Sequence, residues 1–310
     1  MTSLLVSQPK PTSHITPKGH PERAQRLLAV ASALEKPQFG QLKRETSQPA
    51  DLALGTLVHD KSVLRSIQTA RPAEGIGQID GDTFVSPGSL DAAATALGAA
   101  MRALEAVAMG EVDNAFCAIR PPGHHAEANK AMGFCLLNTI AITARLAQQM
   151  YGASRIAIID FDVHHGNGTQ DIFYNDKSVF YASSHQMPLF PGTGAASETG
   201  AGNVFNAPLS ANSDGEQMRE AYNNLILPAL NNFAPDFILL SAGFDAHHRD
   251  PLANLNWTNN DFGWVTGKLM DMAAKHCENR IVSLLEGGYD LEGLAGGVSA
   301  HMSMLERGVL

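Results

Sequence analysis

A chain of 310 residues, 44% apolar and with a formal net charge of -9, is long enough to bury a large core. The acidic balance argues against an extended nucleic-acid footprint, which needs clustered Lys and Arg. No apolar run is long enough to span a bilayer, and the N-terminal MTSLLVSQPKPTSH lacks a basic stretch followed by an apolar core, so neither a membrane span nor a secretory signal is expected. Cys117, Cys135 and Cys277 form no CxxC pair. A reduced cytoplasmic compartment, with the thiols as small buried apolar groups, is the simplest reading.

The first twenty residues are rich in Pro, Ser, Thr and His and read as a loop. A helix is expected from Pro21-Glu22-Arg23 through Leu34. From the middle onward, short apolar runs alternate with amphipathic stretches. The runs 115–119 (AFCAI), 155–161 (RIAIIDF), 179–183 (VFYAS), 236–241 (DFILLS) and 280–286 (RIVSLLE) suit parallel strands covered on both faces, because they are continuously apolar rather than alternating. Helices are expected over 87–108, 136–151, 215–231 and 260–277, with a last one after Tyr289. This alternation predicts a three-layer α/β sandwich with a central, mostly parallel sheet. The Gly-rich stretch 186–210 has no periodicity and reads as a long loop of the kind that often carries function.

In an open parallel sheet, ligands bind beyond the carboxyl ends of the strands. The first predicted strand leads into Arg120-Pro-Pro-Gly-His124-His125, and the second into Asp162-Val-His164-His165-Gly-Asn167. The fourth is followed by Ala-Gly-Phe-Asp245, and the fifth by Gly-Gly-Tyr289. Residues two apart at a strand end share a side, so Asp162 and His164 can bind one ion, and Asp245 supplies a third donor. Three protein ligands leave a position for water, as at a catalytic zinc. An isolated Asp-x-His would read more simply as a helix cap; Asp245 at a neighbouring strand end favours the metal. His124 and His125 follow two stiffening prolines and offer general bases near neutral pH. Asp160 and Asn167 are nearby partners that could set their tautomers. Tyr289, after two glycines, could present its hydroxyl to a developing oxyanion.

The segments RPPGHH (120–125), GFCLLN (133–138), DFDVHHGNGTQDIF (160–173), FPGTG (190–194), GFDAH (243–247) and EGGYD (286–290) together resemble the histone deacetylase superfamily, with wording closest to its class II branch. The resemblance runs from His20 to the final helix. It implies an arginase/deacetylase-like fold and one catalytic domain over residues 1–310. It also implies one catalytic Zn2+ on Asp162, His164 and Asp245, the histidine pair His124 and His125, and Tyr289 as oxyanion donor. Asp160 would orient His124. Asn167 stands beside His125 where some members have aspartate, which removes a charge and makes His125 less basic. A K+ ion is implied near Asp160, Asp162 and His164, with Ser183 and Ser184.

Gly133, Phe134 and Phe190 match the walls of a narrow acyl-lysine tunnel, and aromatic faces around an alkyl chain suit a slender substrate on physical grounds as well. Two departures from the pattern stand out. His247-His248-Arg249 replaces small residues and suggests an unusual rim, and Leu252 stands where a polyamine-selective relative carries an acidic group. The implied reaction is zinc-dependent hydrolysis of N-acyl-lysine or a similar acylated amine, with acetylpolyamine amidohydrolase as the alternative. A binuclear manganese ureohydrolase shares the fold but needs carboxylates where Gly166 and His247 stand. A catalytically dead acyl-lysine binder is at odds with the intact ligands, histidines and tyrosine. Which histidine serves as base stays open at this point, and His165 reads as structural.

Overall fold

The computed structural model describes residues 1–308. The chain runs β1 (Ser3–Ser7), α1 (Gln25–Leu34), β2 (Lys43–Thr46), α2 (Lys61–Ala70), the short pair β3 (Gly77–Gln78) and β4 (Phe84–Val85), and α3 (Ser89–Ala108). It continues through β5 (Asn114–Ala118), α4 (Thr139–Tyr151), β6 (Ile156–Asp160), α5 (Asn167–Phe173), β7 (Val179–Gln186) and β8 (Val204–Leu209). It closes with α6 (Gly215–Ala221), α7 (Leu227–Phe233), β9 (Phe237–Ala242), α8 (Asn259–His276), β10 (Ile281–Leu285) and α9 (Leu291–Arg307). Eight strands form one sheet in the order β2-β1-β5-β10-β9-β6-β7-β8. Every neighbouring pair is parallel.

The central strands are buried on both faces, and period-two alternation divides their side chains between two cores. Ala157 and Ile159 of β6 pack with α1, α8 and α9 residues such as Leu27, Val265 and Leu294. Ile156 and Ile158 pack on the other face with Leu97 of α3 and Ile140 of α4. The result is the expected three-layer sandwich. The helix expected over 215–231 is interrupted: a π-helical turn at Tyr222–Ile226 joins α6 to α7. The helix expected from Pro21 begins at Gln25.

Two loop expectations are corrected. Residues 3–7 form β1, paired on both sides, and the stretch 186–210 contains β8, an edge strand of the sheet. β1 has only three consecutive apolar residues, Leu4–Val6, set between serines, so it does not stand out as an apolar run. β8 carries Pro208, which an edge strand accommodates because one of its sides need not donate to a ladder.

A buried ion-pair knot ties the N-terminal segment to two loops at the carboxyl edge. Glu22 is fully buried and receives Arg120 Nε and Nη2 at 2.8 and 2.7 Å. Arg120 also donates to the carbonyls of Pro11 and His14. Arg26, one helical turn beyond Glu22, lies 3.4 Å from its carboxylate and donates to the carbonyls of Gly288 (2.6 Å) and Glu286. Burial alone pushes the Glu22 carboxyl up, but the Arg120 charge and hydrogen bonds, with His14 and Arg26, outweigh it and hold the group at about 2.

A carboxylate whose pKa is lowered on folding adds stability above its unfolded value, and that contribution fades as pH falls through the folded one. The Glu22 contribution is therefore expected in full above about pH 5 and to disappear between there and about pH 2. Glu22→Gln leaves two buried guanidiniums unpaired and should cost roughly 3–5 kcal/mol at neutral pH. Urea unfolding of both proteins at pH 7 and pH 3 checks this. An equal gap between the two proteins at both pH values would contradict it.

Candidate active site

The four strands whose carboxyl ends carry the polar groups are consecutive in the sheet: β5, β10, β9 and β6. Sheet order therefore gathers residues far apart in sequence. Asp162, His164 and Asp245 each offer a donor atom, and the three atoms lie within 4.8 Å of one another. His164 Nδ1 is 3.2 Å from Asp162 Oδ1 and 3.1 Å from Asp245 Oδ2. The second Asp162 oxygen receives the Gly287 amide at 2.7 Å, and Asp245 Oδ1 receives the Val163 amide at 2.9 Å. Gly287 has to lack a side chain, because a Cβ there would fall onto the Asp245 carboxylate.

Five carboxylates are buried in and around this triad: Asp160, Asp162, Asp245, Asp250 and Glu286. Among the described residues no lysine or arginine bonds to any of them; their partners are histidines, hydroxyls and backbone amides. Burial, reinforced by repulsion from Asp160 and Asp162, lifts Glu286 to about 7. Burial and Asp245 lift Asp250 to about 7. Asp245 is likewise raised by burial and by Asp162. Burial opposes charge on His164, but hydrogen bonds to Asp162 and Asp245 hold its proton to about 10 when protein charges act alone. Two carboxylates and an imidazole in this crowded negative field are a donor set suited to a divalent cation, which would take the place of that proton.

His124 and His125 occupy different environments. His124 Nδ1 is 3.0 Å from Asp160 Oδ2, which also receives the Tyr181 hydroxyl at 3.2 Å. Burial disfavours the charged His124 ring, yet Asp160, Asp162 and Glu286 raise it to about 10. His125 Nδ1 is 2.8 Å from Asn167 Oδ1. Burial, followed by the charges of His124 and His164, pushes His125 well below the usual histidine range. His165 turns away: its two nitrogens bond Thr193 Oγ1 and Gln170 Oε1.

A cavity of about 220 Å³ opens onto this centre. His125, His164 and Tyr289 line it, and Gly133, Phe134, Phe190 and Leu252 all contribute to its wall. Phe190 stands edge-on to His125, and Phe134 edge-on to Tyr289. Gly133 (φ +58°) and Phe134 (φ +67°) both take the left-handed conformation; the Phe134 amide is held by Thr83 Oγ1 at 3.1 Å. Ser183 pairs with Asp160 across β6 and β7. Its hydroxyl meets His185 Nδ1, and that of Ser184 meets the Tyr222 hydroxyl. His247, His248 and Arg249, expected to give an unusual rim, are not part of the cavity wall. The two rings stack on each other at 4.3 Å, and Arg249 pairs with Asp290 and Glu292.

A family model described as the histone deacetylase domain matches residues 20–305. The chain belongs to the histone deacetylase family. Among curated relatives, rice "Histone deacetylase 10, chloroplastic" is 38% identical over 303 residues, covering 91% of this chain and 68% of that protein. An Archaeoglobus fulgidus protein named "Probable deacetylase" is 39% identical over 300 residues, covering 94% and 83%. The solved HD domain of HDA15 superposes with a TM-score of 0.92 at 32% identity, covering 99% of this chain and 89% of that one.

Several residues around the site of this histone deacetylase family member were not singled out from sequence. Glu286 lies inside a quoted motif, and its carboxylate receives the amides of Gly123 (2.6 Å) and His124 (3.2 Å), bracing the histidine loop. Asp250 receives the amides of Tyr289 (2.7 Å) and Asp290 (3.2 Å), and so shapes the tyrosine loop. Asp82 and Leu189 line the cavity, and no local pattern marks either one.

Gly133→Ala tests the packing under the histidine. A Cβ there would stand 2.6 Å from His125 Cδ2, in a conformation that costs non-glycine residues roughly 1–2 kcal/mol. Urea unfolding should show the variant less stable by at least that amount. Unchanged stability would show that Gly133 does not press on His125 as described.

Proposed function

We propose that this deacetylase family member is a zinc-dependent deacylase of N-acyl-lysine or a similar acylated amine, acting as one catalytic domain over residues 1–310. The observation that carries the reading is a cavity of about 220 Å³, with two phenylalanines in its wall, that brings His125 and Tyr289 together with His164 of a buried Asp2His donor set. Asp162, His164 and Asp245 would hold the zinc. When bound, such an ion polarises an amide carbonyl and lowers the pKa of water.

His125 lines the cavity, whereas His124 sits behind it against Asp160, so His125 is the base for the attacking water and then the acid for the leaving amine. Burial and the neighbouring His124 and His164 disfavour a charged His125 ring, which keeps it in the neutral form that a base starts from. The carboxylates around His124 favour its charged form instead. Burial comes first in raising the Tyr289 phenol well above its usual range, with Asp245 and Asp162 adding to it, so the hydroxyl keeps its proton and can donate to the developing oxyanion. Gly133, Phe134, Phe190 and Leu252 would enclose the alkyl chain. The implied potassium would lie against Asp160, between β6 and β7, where Ser183 and Ser184 sit. Three buried free cysteines support a reducing compartment such as the cytoplasm.

One observation favours the second reading, an acetylpolyamine substrate: Asp82 is a carboxylate in the cavity wall, able to attract an internal ammonium group. Leu252 in the same wall favours the lysine reading.

Zinc analysis should give one ion per chain, and chelation should abolish turnover that zinc restores. Two divalent metal ions per chain, or activity indifferent to chelation, would overturn the assignment. Tyr289→Phe should retain zinc and lose roughly 100- to 1000-fold in kcat; wild-type kcat would remove Tyr289 from the role of oxyanion donor. A panel of acetyl-lysine peptides against acetylspermidine separates the two substrate readings by kcat/KM.

A further inference from the structure

Asn167 makes three contacts that together define its orientation. Its Oδ1 faces His125 Nδ1 at 2.8 Å. Its Nδ2 faces Glu127 Oε1 at 2.7 Å and Met132 Sδ at 3.4 Å. A carboxylate and a thioether can accept hydrogen bonds but cannot donate them. Rotating the carboxamide by half a turn would set its oxygen against the Glu127 oxygen and lose both acceptors at once. The carbonyl is therefore locked toward the histidine. An acceptor opposite Nδ1 requires Nδ1 to carry the proton, which leaves the lone pair on Nε2.

We infer that Glu127 is a positioning residue that latches the Asn167 carboxamide and, through it, holds His125 in the Nδ1-protonated tautomer. The inference rests on the reading of His125 as the base. The negative charge missing at position 167 reappears one residue farther out, separated from the imidazole by a neutral amide. Glu127 is itself held in place. Its carbonyl receives His59 Nδ1 at 2.8 Å, its amide donates to the Lys130 carbonyl at 2.8 Å, and the next amide, that of Ala128, bonds Asp171 Oδ2 of α5 at 3.0 Å. Asn167 is the first residue of the same helix, so α5 sets the spacing between carboxylate and carboxamide. Among the described residues no lysine or arginine pairs with Glu127, which leaves Asn167 as its side-chain partner.

Glu127→Gln removes the latch with little change in shape, because a second carboxamide can either donate or accept. Zinc content, melting temperature and KM should stay at wild-type values while kcat falls about tenfold, the lower range for loss of a partner that orients a metal-site group. Adding Asn167→Asp to Glu127→Gln should restore most of the lost kcat, since a carboxylate at 167 has no donor face to present wrongly. 15N spectra of histidine-labelled protein should show His125 protonated at Nδ1 in the wild type and mixed between tautomers in Glu127→Gln. That readout needs no turnover, so it tests the latch even if the deacylase reading fails. Wild-type kcat together with an unchanged tautomer in Glu127→Gln, or a double variant no better than the single one, would overturn the inference.

Discussion

The centre of this protein is organised by an excess of buried negative charge. Five carboxylates lie within or against one cluster, with histidines, hydroxyls and backbone amides as their only partners among the described residues. Burying an ionised carboxylate without compensation is costly, and the surroundings divide that cost. Backbone amides satisfy individual oxygens, the charged forms of His124 and His164 are favoured, and Glu286 and Asp250 are pushed toward neutrality. A divalent ion at the Asp162–His164–Asp245 donors would relieve much of what remains. A cation at this site is thus favoured by the charge arrangement as well as by donor geometry.

Positive charge enters the same region by a different route. Arg120 and Arg26 converge on Glu22 and spend their remaining donors on backbone carbonyls. One of these arginines opens the histidine loop, and the other grips the loop before Tyr289. Glu22 is the one carboxylate they share, and their remaining donors go to backbone carbonyls, so the arginines brace both loops from behind without bonding the carboxylate cluster. Fixed side chains beneath a site keep its groups in register, which matters where a displacement of about an ångström is costly.

Much of this was legible in the sequence. The five runs read as strands became β5, β6, β7, β9 and β10, which are the contiguous centre of the sheet. Double-sided burial demands continuous apolar residues there, and that signal is strong. The strands that escaped notice lie toward the margins. β2 reads KRET and is exposed throughout, β8 contains a proline, and β1, though paired on both sides, offers only the three apolar residues Leu4–Val6 between serines. Edge strands answer to solvent and to avoidance of further pairing rather than to burial, so their composition resembles that of loops. In the site, the groups at strand ends were readable because strand direction places them. Asp82, Glu127 and Asp250 act on the site from loops whose paths depend on tertiary contacts. His247 to Arg249 stay out of the cavity wall for the same reason: His247 is buried, the exposed His248 stacks on it, and Arg249 pairs with Asp290 and Glu292.

The order of strands in the sheet also governs when the site can exist. β5, β10, β9 and β6 are neighbours in space, but Gly287 and the Asp162 carboxylate that it meets are 125 positions apart. A chain emerging from the ribosome would present Asp162 and His164 well before Asp245, and Asp245 before the tyrosine loop. Until β9 and β10 insert between β5 and β6, the sheet has a gap where its centre should be. Contacts at such separations form late because long loops must close first. Under the zinc reading, metal capture would be coupled to the closing of the sheet, and a partly made chain would hold neither the ion nor the pocket above it.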